Sequence, residues 1–172
     1  MGCLCEQLAP KNVEWSAVCI GQLWVFEGLQ PDDMREVVER ATRKRYGLGE
    51  AVFMQGDAAK QISLIKAGRV KLSKLTEDGS ELTLDIRKPG DFIGEYIFSE
   101  DFDYPVSAWC MEETLVCGFT KERFEELILD HPQIGLRVIK NLSNRIARLT
   151  DRVGAMSQSN LEERLYSVLL NV

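Results

Sequence analysis

The sequence is poor in the groups from which catalytic centres are usually built. A single histidine, His131, serves all 172 residues, so the several imidazole and carboxylate ligands that hold a catalytic metal inside a β-barrel are not available. No HxH pair occurs, no Ser-His-Asp set can be assembled around that one imidazole, and no Walker-type phosphate loop is present. His131 precedes Pro132 and is expected on the solvent side of a helix start. Binding and sensing survive as functions; an enzyme is not expected.

Long apolar runs are missing too. Nothing approaches the roughly 18 consecutive apolar residues of a membrane span, and the N-terminus lacks a secretory apolar segment, so a cytoplasmic protein without membrane contact is expected. Met1-Gly2-Cys3 begins like an acylation signal, but Glu6 stands where that pattern requires Ser or Thr. Basic charge is scarce: the net charge of −6 and a pI near 5.0 exclude an autonomous nucleic-acid binder, which needs a clustered excess of Lys and Arg. Between Gly94 and Lys121 there is no Lys or Arg at all, while Glu95, Glu100, Asp101, Asp103, Glu112 and Glu113 fall inside that stretch.

What is present is apolar patterning. With 45% hydrophobic residues the chain can bury one sizeable core plus an appendage. Pro31 to about Arg45 reads as a helix, with Pro at its first position, Asp32 and Asp33 in its first turn, and the basic Arg43-Lys44-Arg45 at its C-terminal dipole. From Glu50 to Thr120 the pattern changes to short apolar runs such as ISLI, VKLSKL, LTLDI and TLVCGF, punctuated by QGD, AGR, EDGS and KPGD. Turn signals at such spacing indicate an all-β jelly roll, a double-stranded β-helix. Thr120 can cap a short helix bearing Phe124, Leu127 and Ile128, and Pro132 starts another.

In that last helix Ile139, Leu142, Ile146, Leu149, Val153 and Met156 recur at alternating spacings of three and four. Branched residues at one heptad position and Leu or Met at the other favour a parallel two-stranded coiled coil, so a homodimer is expected. Asn160 and Glu163 then form a capping pair opening a further apolar helix, whose stop at Val172 suggests that a second domain follows. The expected organisation is a cysteine-bearing segment over 1–23, a β-roll effector domain over 24–131, a dimerisation helix over 132–156, and the start of another domain over 157–172. The class is mainly β with α.

Gly56, Gly68, Gly90 and Gly94, in the contexts FMQGD, IKAGRVKL and KPGDFIGE, carry a resemblance to the CRP/FNR family of bacterial transcription regulators. It runs from Trp24 to Val172. It implies a C-terminal helix-turn-helix beyond these residues, DNA as a partner through that domain, contact with RNA polymerase, and a redox or small-molecule effector. The alternative is a stand-alone ligand-binding regulatory domain of the same type without DNA-binding activity. By the same resemblance the effector pocket is formed by Gly94, Glu95, Tyr96, Ile97, Val106 and Ser107 of the roll with Leu149 and Thr150 of the long helix. Relatives that bind cyclic AMP hold its phosphate with an Arg-Ser pair in this stretch; here Pro105-Val106-Ser107 occupies the place. Without a bidentate Arg the phosphate loses its main charge-assisted contact, and cyclic AMP is not the expected ligand.

The stretch EETLVCGF, a Pro before the preceding strand, and NLEERL resemble the oxygen-sensing FNR branch. That resemblance makes Cys117 a candidate ligand of a 4Fe-4S cluster, with Cys3, Cys5 and Cys19 as the others. A competing reading is redox chemistry at Cys110 and Cys117: a turn at MEET would set the two thiols opposite each other on neighbouring strands, within reach of a disulfide.

Overall fold

The computed structural model describes residues 23–99 and 103–156, and for 155 and 156 the backbone alone. Chain contacts divide it between Asp130 and His131 into two compact units.

The first unit begins with a one-turn 3-10 helix, Trp24–Phe26, followed by α1, Pro31–Arg40. Eight strands come next: β1 Thr42–Tyr46, β2 Ala51–Phe53, β3 Gln61–Ala67, β4 Val70–Leu75, β5 Glu81–Arg87, β6 Phe92–Ile93, β7 Ser107–Cys110 and β8 Thr114–Thr120. A second 3-10 turn, Glu95–Phe98, sits between β6 and β7, and α2, Lys121–Asp130, ends the unit. The strands form two four-stranded antiparallel sheets, β1-β8-β3-β6 and β2-β7-β4-β5. This is the expected jelly roll.

The helix beginning at Pro31 stops five residues earlier than the sequence suggests. Ala41 is extended, and Thr42 to Tyr46 pair with β8 in the register Thr42↔Gly118 to Tyr46↔Thr114. Thr42 Oγ1 donates to the Gly118 carbonyl at 3.0 Å. A free sheet edge offers this segment a full ladder that a further helical turn could not match, so Arg43, Lys44 and Arg45 decorate an edge strand. Charged side chains suit that place because they discourage further strand pairing.

Alternation along the strands then builds two apolar layers. Between the sheets lie Phe53, Ile65, Val70, Leu72, Ile93, Ala108 and Val116, all buried. On the other side of the first sheet an aromatic layer of Phe26, Phe92, Phe119 and Phe124 interlocks, with ring centroids 5.6 Å apart for Phe119 and Phe124 and 5.8 Å for Phe92 and Phe124. Phe124 and Leu127 of α2 are buried at that layer, and the Thr120 hydroxyl accepts from the Arg123 amide at 3.4 Å, the cap expected for this helix.

The tight crossing at the end of β3 requires glycine. Gly68 has φ +85°, and a Cβ there would lie 2.5 Å from the Glu113 carbonyl oxygen. The second unit contains α3, Pro132–Met156, a single helix of 25 residues. No helix among the described residues is long and apolar enough to cross a membrane.

Candidate functional site

The segment from Gly94 to Ser107 forms a wall of the roll, and both of its anchors lead to one residue. Gly94 adopts φ +83°, and a Cβ on it would stand 2.5 Å from the Gln61 carbonyl oxygen. The Tyr104 hydroxyl donates to that same oxygen at 2.9 Å and accepts from the Lys60 and Gln61 amides, each at 3.3 Å. The Tyr104 ring stacks on Phe53 with centroids 3.9 Å apart. Its backbone is tied as well, since Gly56 N donates to Tyr104 O at 2.9 Å and Tyr104 N to Asp57 O at 2.8 Å. Burial pushes the Tyr104 phenol up, opposed by its bonds to Gln61 and Lys60, so it stays a neutral donor.

Between these anchors, Glu95 opens the 3-10 turn half-buried, Tyr96 is half-buried against the core, and Ile97 is fully buried. Residues 100–102 lie outside the described residues. Val106 and Ser107 are brought to the wall but to opposite faces of the second sheet. Val106 points into the core beside Ala108, whereas Ser107 lines an open groove of about 590 Å³ with Met54, Lys71 and Trp109 on the other side. Its hydroxyl is already used, accepting from the Gln55 amide at 2.9 Å. The expectation that Val106 and Ser107 face one pocket is therefore corrected: strand alternation through Ala108 separates them.

Leu149 and Thr150 belong to the second unit. Leu149 is exposed, and the Thr150 hydroxyl donates to the Ile146 carbonyl of its own helix at 2.9 Å. Along α3, Ile139, Ile146 and Val153 are 61%, 65% and 67% exposed and Leu142 is half-buried; the Met156 side chain is outside the described residues.

The two cysteines of the roll are kept apart. Cys110 and Cys117 are both free and buried, and the strands that carry them part into different sheets: β7 pairs with β2 and β4, β8 with β1 and β3. Cys110 lies in the core between the sheets, while Cys117 stands opposite Leu64 and Arg43 within the first sheet. The expected disulfide across a hairpin is thus corrected, because MEET joins strands that diverge rather than pair. Burial also raises the Cys110 thiol, away from the reactive thiolate, with a Thr114 hydrogen bond opposing it. Cys3, Cys5 and Cys19 lie outside the described residues. Among the described residues no three His, Cys, Asp or Glu side chains gather where a metal could sit. His131, expected at the solvent side, is buried instead.

Sequence reading missed two buried cations because they lie outside the Gly94 to Lys121 stretch. Lys66, at the irregularity between Ile65 and Ala67, is 1% exposed. Arg87, at the end of β5, is 5% exposed and reaches the wall electrostatically: burial pushes the Tyr96 phenol up and the Arg87 charge holds it back. The available signal was alternation, since Arg87 falls opposite Val70, a core position.

A family model described as cyclic nucleotide-binding domain matches residues 43–131. The chain is similar to the fumarate and nitrate reduction regulatory protein of Yersinia pestis, 27% identical over 141 residues that cover 82% of this chain and 55% of that protein. It is similar to the transcriptional activator protein Anr of Pseudomonas protegens, 28% identical over 167 residues that cover 97% of this chain and 66% of the relative. Among solved structures it resembles the catabolite activator protein of Thermus thermophilus, with a TM-score of 0.68 at 25% identity, covering 77% of this chain and 62% of that one. The chain thus spans between 55% and 66% of the length of these two curated relatives.

The double anchoring at Gln61 gives a direct expectation. Tyr104→Phe keeps the ring on Phe53 but leaves the Gln61 carbonyl without its hydroxyl donor. It is expected to lower stability to urea by about 1–2 kcal/mol and to speed amide exchange selectively between Glu95 and Ser107.

Proposed function

The chain belongs to the cyclic nucleotide-binding domain family, within its CRP/FNR group, and from that premise we propose that it is the sensor and dimerisation portion of a bacterial transcription regulator. The roll receives a small-molecule or redox effector, and α3 joins two copies. Two DNA-binding domains, carried beyond these residues, then reorient on an operator with two-fold symmetry. The chain itself carries no catalytic role in this reading, and RNA polymerase is the further partner of the assembled regulator.

The observation that carries the reading is the exposed apolar stripe of α3. Ile139, Ile146, Leu149 and Val153 present branched and Leu side chains at heptad spacing while 50% to 67% exposed. A contiguous stripe of this kind on one helix is what a second, parallel copy covers. Effector binding that favours one arrangement of the paired helices would shift the population of the two DNA-binding orientations.

The wall argues for an effector other than a cyclic nucleotide. Val106 is directed into the core, Ser107 is committed to Gln55 on the opposite face, and no Lys or Arg lies between Gly94 and Lys121. Of the four cysteines that the resemblance names for a 4Fe-4S cluster, Cys117 alone falls among the described residues, and at 1% exposure between two neighbouring strands of the first sheet its thiol is not presented to a cluster on the surface of the roll. A small molecule is accordingly the preferred effector.

Ile146→Glu together with Leu149→Glu is expected to convert the dimer to a monomer in sedimentation while leaving the circular dichroism of the roll unchanged; a double variant that stays dimeric contradicts the reading. Iron and acid-labile sulfide measured on protein purified without oxygen are expected to be absent. About four iron per chain, with a visible band that bleaches in air, would instead establish the cluster.

A further inference from the structure

The inner face of β5 narrows the chemistry of the effector. Arg87 lies opposite Val70, which lies opposite Cys110, so its side chain shares the core-facing side of the second sheet. Asp85 lies opposite Leu72 on that same side. The two are joined between Arg87 Nη2 and Asp85 Oδ2 at 3.3 Å, with side chains 6% and 30% exposed. That separation exceeds the roughly 2.7–2.9 Å usual for a charge-assisted bond. Arg87 also acts on Tyr96, the half-buried residue of the wall. Further along β5, Leu82 and Leu84 are 52% and 39% exposed.

We infer that the effector is a small carboxylate carried on an apolar body, and that Arg87 of β5 receives its charged head. This rests on the sensor reading above and names the ligand class of that site. A nearly buried guanidinium is a planar fork of N–H donors matched to carboxylate geometry, so it can serve an entering carboxylate beside Asp85 or in its place. Asp85 is the more exposed partner of a long ion pair, and its displacement toward solvent recovers hydration that the buried Arg87 could not. Leu82, which lies opposite Lys74 and so, past the bulge between Leu72 and Ser73, on the side of Val70 and Leu72, supplies apolar surface for the remainder of the ligand, with Tyr96 at the wall. A cyclic nucleotide would bring a ribose and a base as well, and the Arg-Ser pair of its binders is absent.

Isothermal titration of the whole chain with hexanoate and benzoate, against hexanol and benzyl alcohol as uncharged counterparts, reads the proposal. The carboxylates are expected to bind and the alcohols to bind at least about tenfold more weakly, the scale of one charge-assisted contact. Arg87→Gln should weaken the carboxylates by about tenfold or more. Asp85→Asn should tighten them, because one competing carboxylate beside the guanidinium is then removed. Opposite signs at the two positions are the signature; an ion pair that serves only the fold would give loss or no change at both. Where Arg87→Gln melts below the assay temperature, Arg87→Lys replaces it, since a point charge without the fork should also weaken binding. No binding of either carboxylate, or the same affinity in the Arg87 and Asp85 variants as in the parent, overturns the inference. Neither result bears on dimerisation through α3, so the ligand class and the sensor reading fail separately.

Discussion

The backbone carbonyl of Gln61 is the point on which the wall beginning at Gly94 depends. Gly94 comes so close to it that no side chain is tolerated there, and the Tyr104 hydroxyl closes on the same oxygen. Gly94 and Tyr104 are thereby held at a single place at the start of β3, a strand with neighbours on both sides in the first sheet. Closing a short loop on a rigid strand limits the conformational entropy that an unpaired segment would otherwise keep. The wall can then carry half-buried groups such as Glu95 and Tyr96 at defined positions, with Asp103 bridged to Ala58 on its far side.

Charge is distributed around this wall unevenly. The segment itself is acidic and contains no cation, whereas Arg87 and Lys66 are buried on strands that reach it from elsewhere in the fold. Burying a guanidinium costs several kcal/mol unless carboxylates or strong acceptors surround it. The cost of keeping Arg87 on the inner face is offset in part by Asp85, and an ion pair of that length is suited to rearrangement when a competing carboxylate arrives. The exposed heptad stripe of α3 supplies the other requirement of a sensor, a surface whose pairing can differ between two states.

The roll was legible in the sequence because its punctuation is local. Gly68 and Gly94 are glycines for reasons of φ and close approach, and such constraints appear directly as residue type. The long helix was legible as well, since its period and its opening proline lie within one continuous segment. What could not be read is what depends on distant pairing. Thr42 to Tyr46 carries a helix-compatible composition and becomes a strand only because β8 offers it an edge. The short connection at MEET looks like a hairpin turn, yet β7 and β8 enter different sheets, which separates Cys110 from Cys117. Arg87 was overlooked because its burial follows from its place opposite Val70 on a neighbouring strand, which composition alone does not show.

In the proposed sensor the central feature is a wall without a clamp for a cyclic phosphate, and calorimetric titration of the chain with cyclic AMP tests it most directly. No saturable heat is predicted up to about 1 mM nucleotide, a concentration at which even a binding free energy near −4 kcal/mol would register. Stoichiometric binding in the micromolar range would contradict this, because the phosphate would then be held by groups other than the wall segment, and Val106 and Ser107 could not be the residues that deny it a place.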